Sequence, residues 1–403
     1  MAEIFSQIAI NMMNFILIIV AFELTGSNMA VSGIVLSFTI PAILFGIYAG
    51  SYVDKRAKKT ILIWTNLIRA FLLFILALSH SNIFFIYALA VLITIVTQFF
   101  IPAETPIIPL LVNKKLLLSA NALFGIGVYG SVLVAYALSG PVYFFFKNYV
   151  FFLLAALFFI AAVFSFLIRV PFVKKQNILN NVEVSFRDEI KGLFYLLART
   201  KALYHSLFLL TMSQVIILIL ATIGPGYGRQ ILGISVDEFP LFFVTPAALG
   251  MFIGAMVIGI FFHNRRREMM ATIGVVLSGI GIFLLPYGSK VASKGFITTI
   301  NTFLPAFLTV DILHMMIFFA FFLGVANALV FVPSNTLLQE KTEDTYRGKV
   351  YGLLNALVGL SSLLPIIIVG SFADLIGVGW VLTGIGSTVM FLGVVRMFLW
   401  RKR

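Results

Sequence analysis

The chain has 403 residues, of which 61% are hydrophobic and 11% are charged, and its mean hydropathy is +1.09. A soluble domain of this length and composition has too few polar side chains to cover its surface, so we predict a polytopic membrane protein. The formal net charge of +13 does not indicate a nucleic-acid-binding protein, because the cations lie in short clusters between apolar runs instead of on one exposed face.

Apolar runs of about 20 residues predict transmembrane helices, and twelve such runs follow one another along the chain. The first begins at Ile4 without a basic segment before it, so it predicts a helix and not a cleavable signal peptide. The fold class expected is therefore an all-α membrane protein. The predicted spans are 4–24, 30–53, 60–79, 83–101, 120–146, 150–168, 207–223, 241–262, 271–285, 311–337, 350–372 and 378–400.

The cations are distributed unevenly between the two sides of these spans. If the N-terminus is cytoplasmic, 23 of the 28 Lys and Arg residues fall on the cytoplasmic side, while Arg69 lies within the third helix. An excess of cations in cytoplasmic loops is the usual determinant of orientation. We therefore expect a multi-pass protein of the inner, cytoplasmic membrane, with both termini in the cytoplasm.

Two short motifs occur twice, once in each half of the chain. Residues 100–105 read FIPAET and residues 331–336 read FVPSNT, while Asn-Ala-Leu occurs at 121–123 and at 355–357. A repeat of this kind predicts two six-helix bundles with a site near the middle of the membrane between them, as in secondary transporters. The predicted domains are 1–168, a cytoplasmic linker 169–206 with an amphipathic helix over 185–201, and 207–403.

The segment 46–59 reads GIYAGSYVDKRAKK, a glycine-spaced apolar helix that ends in an aspartate and a cluster of cations. Gly46 and Gly50 are spaced so that another helix backbone can approach closely. Asp54 and the cations after it must lie in water at the membrane edge. The segment is therefore predicted to be a short cytoplasmic loop beneath a moving pair of helices.

This segment resembles the loop between helices 2 and 3 of the major facilitator superfamily, although Ala57 stands where that family usually has glycine. The resemblance implies that Asp54 docks on the N-terminal end of helix 11 when the cytoplasmic side is closed. The alternative is that Asp54 only balances the neighbouring cations. The residues of the predicted latch are Gly46, Gly50, Asp54, Lys55, Lys58, Lys59 and Arg347.

Further segments resemble one branch of that superfamily, the macrolide-efflux and enterobactin exporters. These segments are 24–27, 102–103, 110–112, 120–123, 347–349 and 370–377. A second resemblance, around 331–340, is to the bacterial lysophospholipid transporter. The first resemblance implies efflux of small molecules, and the second implies movement of a lipid between leaflets.

The superfamily resemblance implies a substrate path lined by helices 1, 4, 7 and 10. Each of these helices carries polar side chains in an otherwise apolar span, and those of helix 1 form one stripe. The alternative for each buried amide is a hydrogen bond to a neighbouring helix. The substrate-lining candidates are Gln7, Asn11, Asn14, Thr94, Gln98, Gln214 and Asn327.

A proton-coupled transporter needs a group that titrates within the membrane region, and such groups are few in this chain. The candidates are Glu23, Arg69, Glu104, Asp311 and His314, and an ion pair between Arg69 and Glu104 is one hypothesis. The alternative for Glu23, Asp311 and His314 is a solvated position at the membrane edge.

Helix 5 keeps the Gly140–Pro141 pair found in the antiporters of the superfamily, but Tyr136 occupies its central glycine position. We predict a helix bend at Gly140 and Pro141 without close glycine packing. Export by antiport and a plain kink are both consistent with this pair.

No enzymatic motif is present: the chain has no cysteine, four scattered histidines and no phosphate-binding glycine loop, so neither a metal site nor a cofactor is predicted. The predicted function is secondary transport by alternating access, with proton-coupled export of an amphipathic or hydrophobic small molecule. The alternatives are a lysophospholipid flippase and a transport-dead sensor or scaffold. The expected partners are the substrate, membrane lipids and protons, and the protein is expected to be a monomer.

Overall fold

The computed structural model describes residues 1–54, 56–78, 82–104, 107, 117–168, 201–261, 266–291, 299, 301–302, 311–342 and 347–401. Within these residues the chain forms twelve long α-helices and no β-strand, which confirms the predicted all-α fold. The first six are α1 Ala2–Thr25, α2 Asn28–Asp54, α3 Lys58–Leu78, α4 Ile83–Glu104, α5 Leu117–Phe146 and α6 Val150–Leu167. The other six are α7 Lys201–Tyr227, α8 Thr245–Phe261, α9 Arg267–Val291, α10 Ile312–Lys341, α11 Arg347–Ile376 and α12 Val378–Arg401.

Most of these helices can cross a membrane. Among the described residues, eleven helical segments are long and apolar enough to do so by length and composition, and α5 contributes the shorter apolar segment Gly130–Phe146. Consecutive helices run in opposite directions, so the helix ends lie at two faces. The face that contains the helix ends Ala2, Lys58 and Arg401 is called the near face. The face that contains Thr25, Asn28 and Ile376 is called the far face.

The same packing pattern occurs in both sets of six helices. In the first set α1 packs on α5, α2 on α4, and α3 on α4 and α6. In the second set α7 packs on α11, α8 on α10, and α9 on α10 and α12. Adding six to the helix numbers of each pair in the first set gives the matching pair in the second set. This correspondence is expected for a chain whose two halves are repeats. Between the sets, α2 packs on α11, and α5 packs on the π-helical segment Pro240–Val244 that leads into α8.

The seventh helix differs from its predicted span of 207–223 at both ends. It begins at Lys201, so residues 201–206 of the predicted linker belong to α7; the rest of the predicted amphipathic helix lies outside the described residues. At the far face the helix extends beyond the predicted end at residue 223 and reaches Tyr227. The helix continues through the Gly-Pro-Gly segment 224–226 because these glycines leave room for Phe239 and Asn28 to pack against it.

Close helix packing in the second set depends on glycine. A Cβ added to Gly324 of α10 would meet the backbone of α8 at Ala247 and Met251, with the Met251 nitrogen at 2.7 Å. By contrast, a Cβ added to Gly384 of α12 would meet nothing within 4 Å. Helix association in lipid relies on such small residues because lipid tails are as apolar as leucine.

We therefore expect Gly324→Ala to destabilise the protein by about 1–3 kcal/mol, because the added methyl group overpacks the contact between α8 and α10. In Gly384→Ala the methyl group enters open space and alanine is the better helix former, so stability should be unchanged or rise by up to about 1 kcal/mol. Thermal unfolding of both purified variants in detergent provides the measurement. Equal effects in the two variants would contradict this account of the packing.

Candidate functional site

A cavity of about 450 Å³ lies at mid-membrane depth between the two sets of helices. Its wall comes from both sets: α1, α2 and α5 on one side, and α7, α8, α9, α10 and the segment 239–244 on the other. The resemblance implied a path lined by helices 1, 4, 7 and 10. In this conformation α4 supplies no residue to the wall, and its place is taken by α2 and α5.

Three of the seven predicted lining residues reach the cavity: Asn14, Gln214 and Asn327. Each lies near the middle of its helix, and the three amides, together with Ser278 and Tyr136, are the polar residues of an otherwise apolar wall. The Nδ2 group of Asn327 donates a hydrogen bond to the Ser213 hydroxyl at 3.0 Å, whereas its buried Oδ1 atom has no partner among the described residues. A buried amide oxygen without a partner is costly, and a donor on a bound molecule can satisfy it once the Asn327 side chain turns toward the cavity.

The remaining four predicted lining residues lie away from the cavity wall. The Nδ2 group of Asn11 donates to the backbone oxygen of Gln7 at 2.8 Å and to its side-chain oxygen at 3.2 Å. On α4, the Thr94 hydroxyl donates to the backbone of Ala90, and the Gln98 amide oxygen faces Gly46 of α2. The hydrogen bonds of these residues lie within their own helices, so the alternative weighed in the sequence analysis, a hydrogen bond to a neighbouring helix, is not what these contacts show.

Aromatic rings close the cavity toward the far face. Phe239 and Phe243 stack with ring centroids 5.0 Å apart, and Tyr227 meets Phe243 edge to face at 5.8 Å. On the opposite wall, Phe15 of α1 meets Tyr136 of α5 at 5.9 Å. Tyr136 occupies the position where the related antiporters have glycine, and here it forms part of the cavity wall.

The two sets of helices are joined at the far face by Asp374, the residue two positions before the end of α11. Its Oδ1 atom accepts hydrogen bonds from the backbone and the side chain of Asn28, both at 2.8 Å. Its Oδ2 atom accepts from the Ser27 hydroxyl at 2.5 Å and from the Met29 backbone at 3.1 Å. A carboxylate of one half thus caps the N-terminus of α2 in the other half, where the helix dipole favours negative charge.

Small residues extend this contact along the two helices. The Ser32 hydroxyl of α2 donates to the backbone oxygen of Ile366 in α11 at 2.9 Å. Gly370 lies so close to Ser32 and to the backbone of Asn28 and Met29 that a side chain would not fit. We call Ser27, Asn28, Ser32, Gly370 and Asp374 the far latch.

Sequence reasoning missed the far latch, although a signal was present. Residues 370–374 read GSFAD, and residues 50–54 at the end of α2 read GSYVD. The two helices are antiparallel, so the same motif ends α2 at the near face and α11 at the far face. The resemblance places Asp54 against the start of α11, and the structure places Asp374 against the start of α2.

The near-face counterpart is more loosely packed in this conformation. An added Cβ at Gly50 would meet no described atom within 4 Å, and one at Gly46 would meet only the Gln98 side chain at 3.7 Å. The close helix packing expected at these two glycines is therefore not formed here. Lys55 and the side chains of Asp54 and Arg347 lie outside the described part of the chain, Lys58 begins α3, and the Lys59 ammonium lies 5.4 Å from the centroid of the Phe166 ring.

The predicted ion pair between Arg69 and Glu104 is not formed. Arg69 is fully buried, and its guanidinium donates to the Asn66 side chain at 2.8 Å, to the Ser6 hydroxyl at 3.3 Å and to the backbone oxygen of Thr65 at 3.2 Å. Glu104 is buried at the end of α4, but the ion pairs within 4.0 Å among the described residues do not include it. Neutral acceptors within the bundle thus satisfy the arginine.

The other coupling candidates lie at the far face in structural contacts. Glu23 accepts a hydrogen bond from the Tyr143 hydroxyl at 2.5 Å and lies 3.9 Å from the Lys147 ammonium. Asp311 and His314 form a reciprocal capping box at the start of α10. The backbone N–H of His314 holds the pKa of the exposed Asp311 carboxyl below its usual range. The contribution of this cap to stability is therefore present at neutral pH and is lost as the pH falls through that lowered pKa.

Gly140 has a packing role that the sequence did not predict. An added Cβ would collide with the backbone oxygen of Asp237 and would lie 3.5 Å from Pro240. Helix α5 continues past Pro141 to Phe146. The expectation that this helix lacks close glycine packing was wrong, because Gly140 lets α5 approach the segment before α8.

A two-bundle membrane protein with a cavity between its halves and a latch at one face is the architecture of a transporter, and comparison with known proteins agrees. The family sequence model of the Major Facilitator Superfamily matches residues 1–300 of the chain. The chain belongs to this superfamily.

Two relatives align over most of their length. The chain is 26% identical over 401 residues to the uncharacterised MFS-type transporter YfiS of Bacillus subtilis (strain 168), covering 95% of this chain and 87% of that protein. It is 24% identical over 387 residues to macrolide efflux protein A of Streptococcus pyogenes, covering 93% of this chain and 88% of that protein.

Solved structures share the fold at low sequence identity. The nucleoside transporter NupG aligns with a TM-score of 0.73 at 13% identity, over 99% of this chain and 98% of that chain. A bacterial homologue of the human lysosomal transporter Spinster, in an inward-facing and unoccupied conformation, aligns with a TM-score of 0.71 at 14% identity, over 98% and 95%.

Replacing Asp374 by alanine should weaken the far latch, because four donors lose their acceptor. We expect Asp374→Ala to shift the equilibrium toward an open far face by about 1–2 kcal/mol, roughly tenfold. Spin labels on the variants Phe84→Cys and Trp380→Cys measure the separation across the far face, and the chain has no native cysteine to interfere.

Asp311→Ala is the matched control, because it also removes an aspartate that caps a helix at the far face. Asp311 caps its own helix instead of one in the other half, so this variant should lose comparable stability without opening the far face. Equal label separations in Asp374→Ala and the wild type would contradict the assignment of the latch.

Proposed function

We propose that this protein is a secondary transporter that exports amphipathic or hydrophobic small molecules from the cytoplasm, in exchange for protons, by alternating access. The observation that carries the proposal is the apolar cavity at mid-membrane depth between the two halves, with three amides in its wall. Secondary transporters of repeated topology bind their substrates at this position.

The cavity wall defines the chemistry of the substrate. Its volume of about 450 Å³ is in the range of small-molecule sites. None of the described residues that line it is acidic, basic or histidine, so the wall offers no counter-ion to a charged group. The wall therefore favours a molecule with a large apolar body and a hydroxyl or N–H group that donates to a wall amide, such as the Asn327 oxygen once its side chain turns toward the cavity.

The paired GSYVD and GSFAD motifs provide a mechanism for alternation. In the conformation described, Asp374 closes the far face, while a Cβ added at Gly50 of the near face would meet no described atom within 4 Å. We assign to Asp54 the reciprocal role of capping the start of α11 when the near face closes. One carboxylate would then dock as the other is released, and the cavity would open to one face at a time.

The direction of transport rests on orientation and on a relative. The sequence predicts 23 of the 28 cations on the side of the N-terminus, and α1 begins at the near face, so the near face is assigned to the cytoplasm of an inner membrane. The cavity closed at the far face then corresponds to the inward-facing state. Macrolide efflux protein A, a relative at 24% identity, supports export over uptake.

Transport by the full chain in proteoliposomes tests this function. An imposed pH gradient should drive movement of a macrolide or a lipophilic dye, and Asp54→Asn should reduce it about tenfold by removing the near latch. The substrate panel includes a labelled lysophospholipid. Lipid movement that is indifferent to pH, with no drug or dye transport, would overturn the proposal in favour of a lipid transporter.

The Asn327 oxygen gives a sharper prediction about the site. Asn327→Leu removes the acceptor, so a substrate that donates a hydrogen bond should bind about tenfold more weakly, a loss of roughly 1.4 kcal/mol. An analogue methylated at that donor should lose little. Gln98→Leu removes an amide that lies outside the cavity wall and serves as the matched control. Tryptophan quenching or calorimetry measures substrate binding to both variants. Equal weakening of binding in the two variants would contradict the assignment.

A further inference from the structure

Glu3, in the first turn of α1, was not among the predicted site residues, but its carboxylate is buried inside the first bundle. Both carboxylate oxygens are buried, and neither makes a hydrogen bond of good geometry to a described residue, although the Gln7 amide is near enough to favour the charged form. The amide of Gln7 lies beside them, one turn further along the helix. An ionised carboxylate in such a position is costly unless a cation is near or a proton is bound.

The cation near Glu3 is Arg69 of α3, which is close enough for electrostatic attraction, although the ion pairs within 4.0 Å among the described residues do not include the two. Besides its three hydrogen bonds to neutral oxygens, the guanidinium lies over the rings of Phe100 and Phe158, at 4.3 and 4.5 Å from their centroids. Arginine stays protonated in proteins. Arg69 is therefore held by α1, α3, α4 and α6 whether Glu3 is charged or neutral, so Glu3 can lose its charge without leaving the arginine unpartnered.

The other charged groups near Glu3 are few. The N-terminal amino group is its second electrostatic partner. Helices α5 and α6, which pack on α1, contain no Asp, Glu, Lys, Arg or His. The remaining neighbours bring charge only at their near ends: Asp54 on α2, Glu104 on α4, and Lys201 with His205 on α7.

One polar stripe connects this site with the cavity. Glu3, Gln7, Asn11 and Asn14 follow one another at helical spacing, Gln7 and Asn11 are hydrogen-bonded to each other, and Asn14 lines the cavity. At 1.5 Å per residue, Glu3 lies about 16 Å from Asn14 along the helix. The same rigid helix thus carries the buried acid and a residue of the cavity wall.

We propose that Glu3 is a proton-binding site of this transporter, with Arg69 as its fixed counter-ion. This inference rests on the proton coupling in the proposed function. When ionised, the Glu3 carboxylate attracts Arg69 and holds the near end of α1 against α3. When it takes up a proton to become the neutral acid, this attraction is lost, and the hydrogen bond from Arg69 to Ser6 remains as the polar contact between the near end of α1 and α3. No group other than the proton is transferred.

A measurement without substrate tests this site independently of what the protein transports. Spin labels on the variants Thr60→Cys and Lys341→Cys, exposed near-face positions in the two halves, report the opening of the near face. In the wild type, acidification should shift the open-to-closed ratio about tenfold. In Glu3→Gln the ratio should be the same in acidic and mildly alkaline buffer. Glu268→Gln, a near-face carboxylate in the second bundle, should behave like the wild type.

Transport then separates the two proposals. With a transported dye or macrolide, Glu3→Gln should keep substrate exchange without a gradient within about twofold of the wild type, and should lose pH-driven transport at least tenfold. A pH response retained in Glu3→Gln would overturn the assignment of Glu3 and leave the transport function intact. If the wild-type protein exchanged none of the compounds tested, the proposed substrates would be refuted. The substrate-free spin-label measurement would still show whether Glu3 is the proton-binding site.

Glu3→Asp guards against the possibility that Glu3→Gln fails to fold, which size-exclusion chromatography reveals. The shorter acid should remain titratable in a different position relative to Arg69, so the pH midpoint of the label response should move. An unchanged midpoint would overturn the proposal.

Discussion

The antiparallel contact between α2 and α11 is the constraint on which the rest of the structure depends. The two helices cross the membrane together and belong to different halves, so the halves cannot tilt without breaking this contact at one end. At the far face the contact is made by a carboxylate on four donors, an interaction that depends strongly on geometry. A contact of this kind is either made or lost, which favours two discrete states over a continuous range.

The distribution of charge follows from the same membrane environment. The described wall of the cavity is neutral, whereas the buried charges Glu3 and Arg69 lie within one bundle and near one face. A charge in the cavity would lose its solvation each time the cavity closed, at a cost that a substrate would have to offset. Within the bundle, Arg69 keeps its hydrogen bonds and aromatic contacts as the halves move, because Ser6, Asn66, Phe100 and Phe158 belong to the same half.

The length of the apolar runs predicted the twelve helices, because the thickness of the bilayer sets the length of a span. The repeated motifs predicted the arrangement of these helices in two halves. Asn14, Gln214 and Asn327 were found because an amide in the middle of a span is conspicuous. Periodicity could not tell which face of α4 meets the path, and in this conformation Gln98 faces α2. Glu3 resembles an interfacial acid of a first helical turn in the sequence, and its burial arises only from tertiary packing around Arg69. The Asp374 half of the far latch could have been predicted from the sequence, because GSFAD at 370–374 repeats GSYVD at 50–54. Residues 27–29, which donate to Asp374, have no sequence motif that would predict this role.

The separation between Glu3 and the cavity determines how a proton can influence a substrate. Two unit charges about 16 Å apart interact by only about 1 kcal/mol at an effective dielectric constant of about 20, and a neutral substrate feels less. Direct electrostatics across the bundle is therefore too weak to drive transport. The polar stripe lies on a single helix whose far end is bound to α5 through Glu23 and Tyr143. Coupling must then be mechanical: weakening the attraction between α3 and the near end of α1 while the far end stays attached changes the tilt of the helix, and with it the position of Asn14 in the cavity wall.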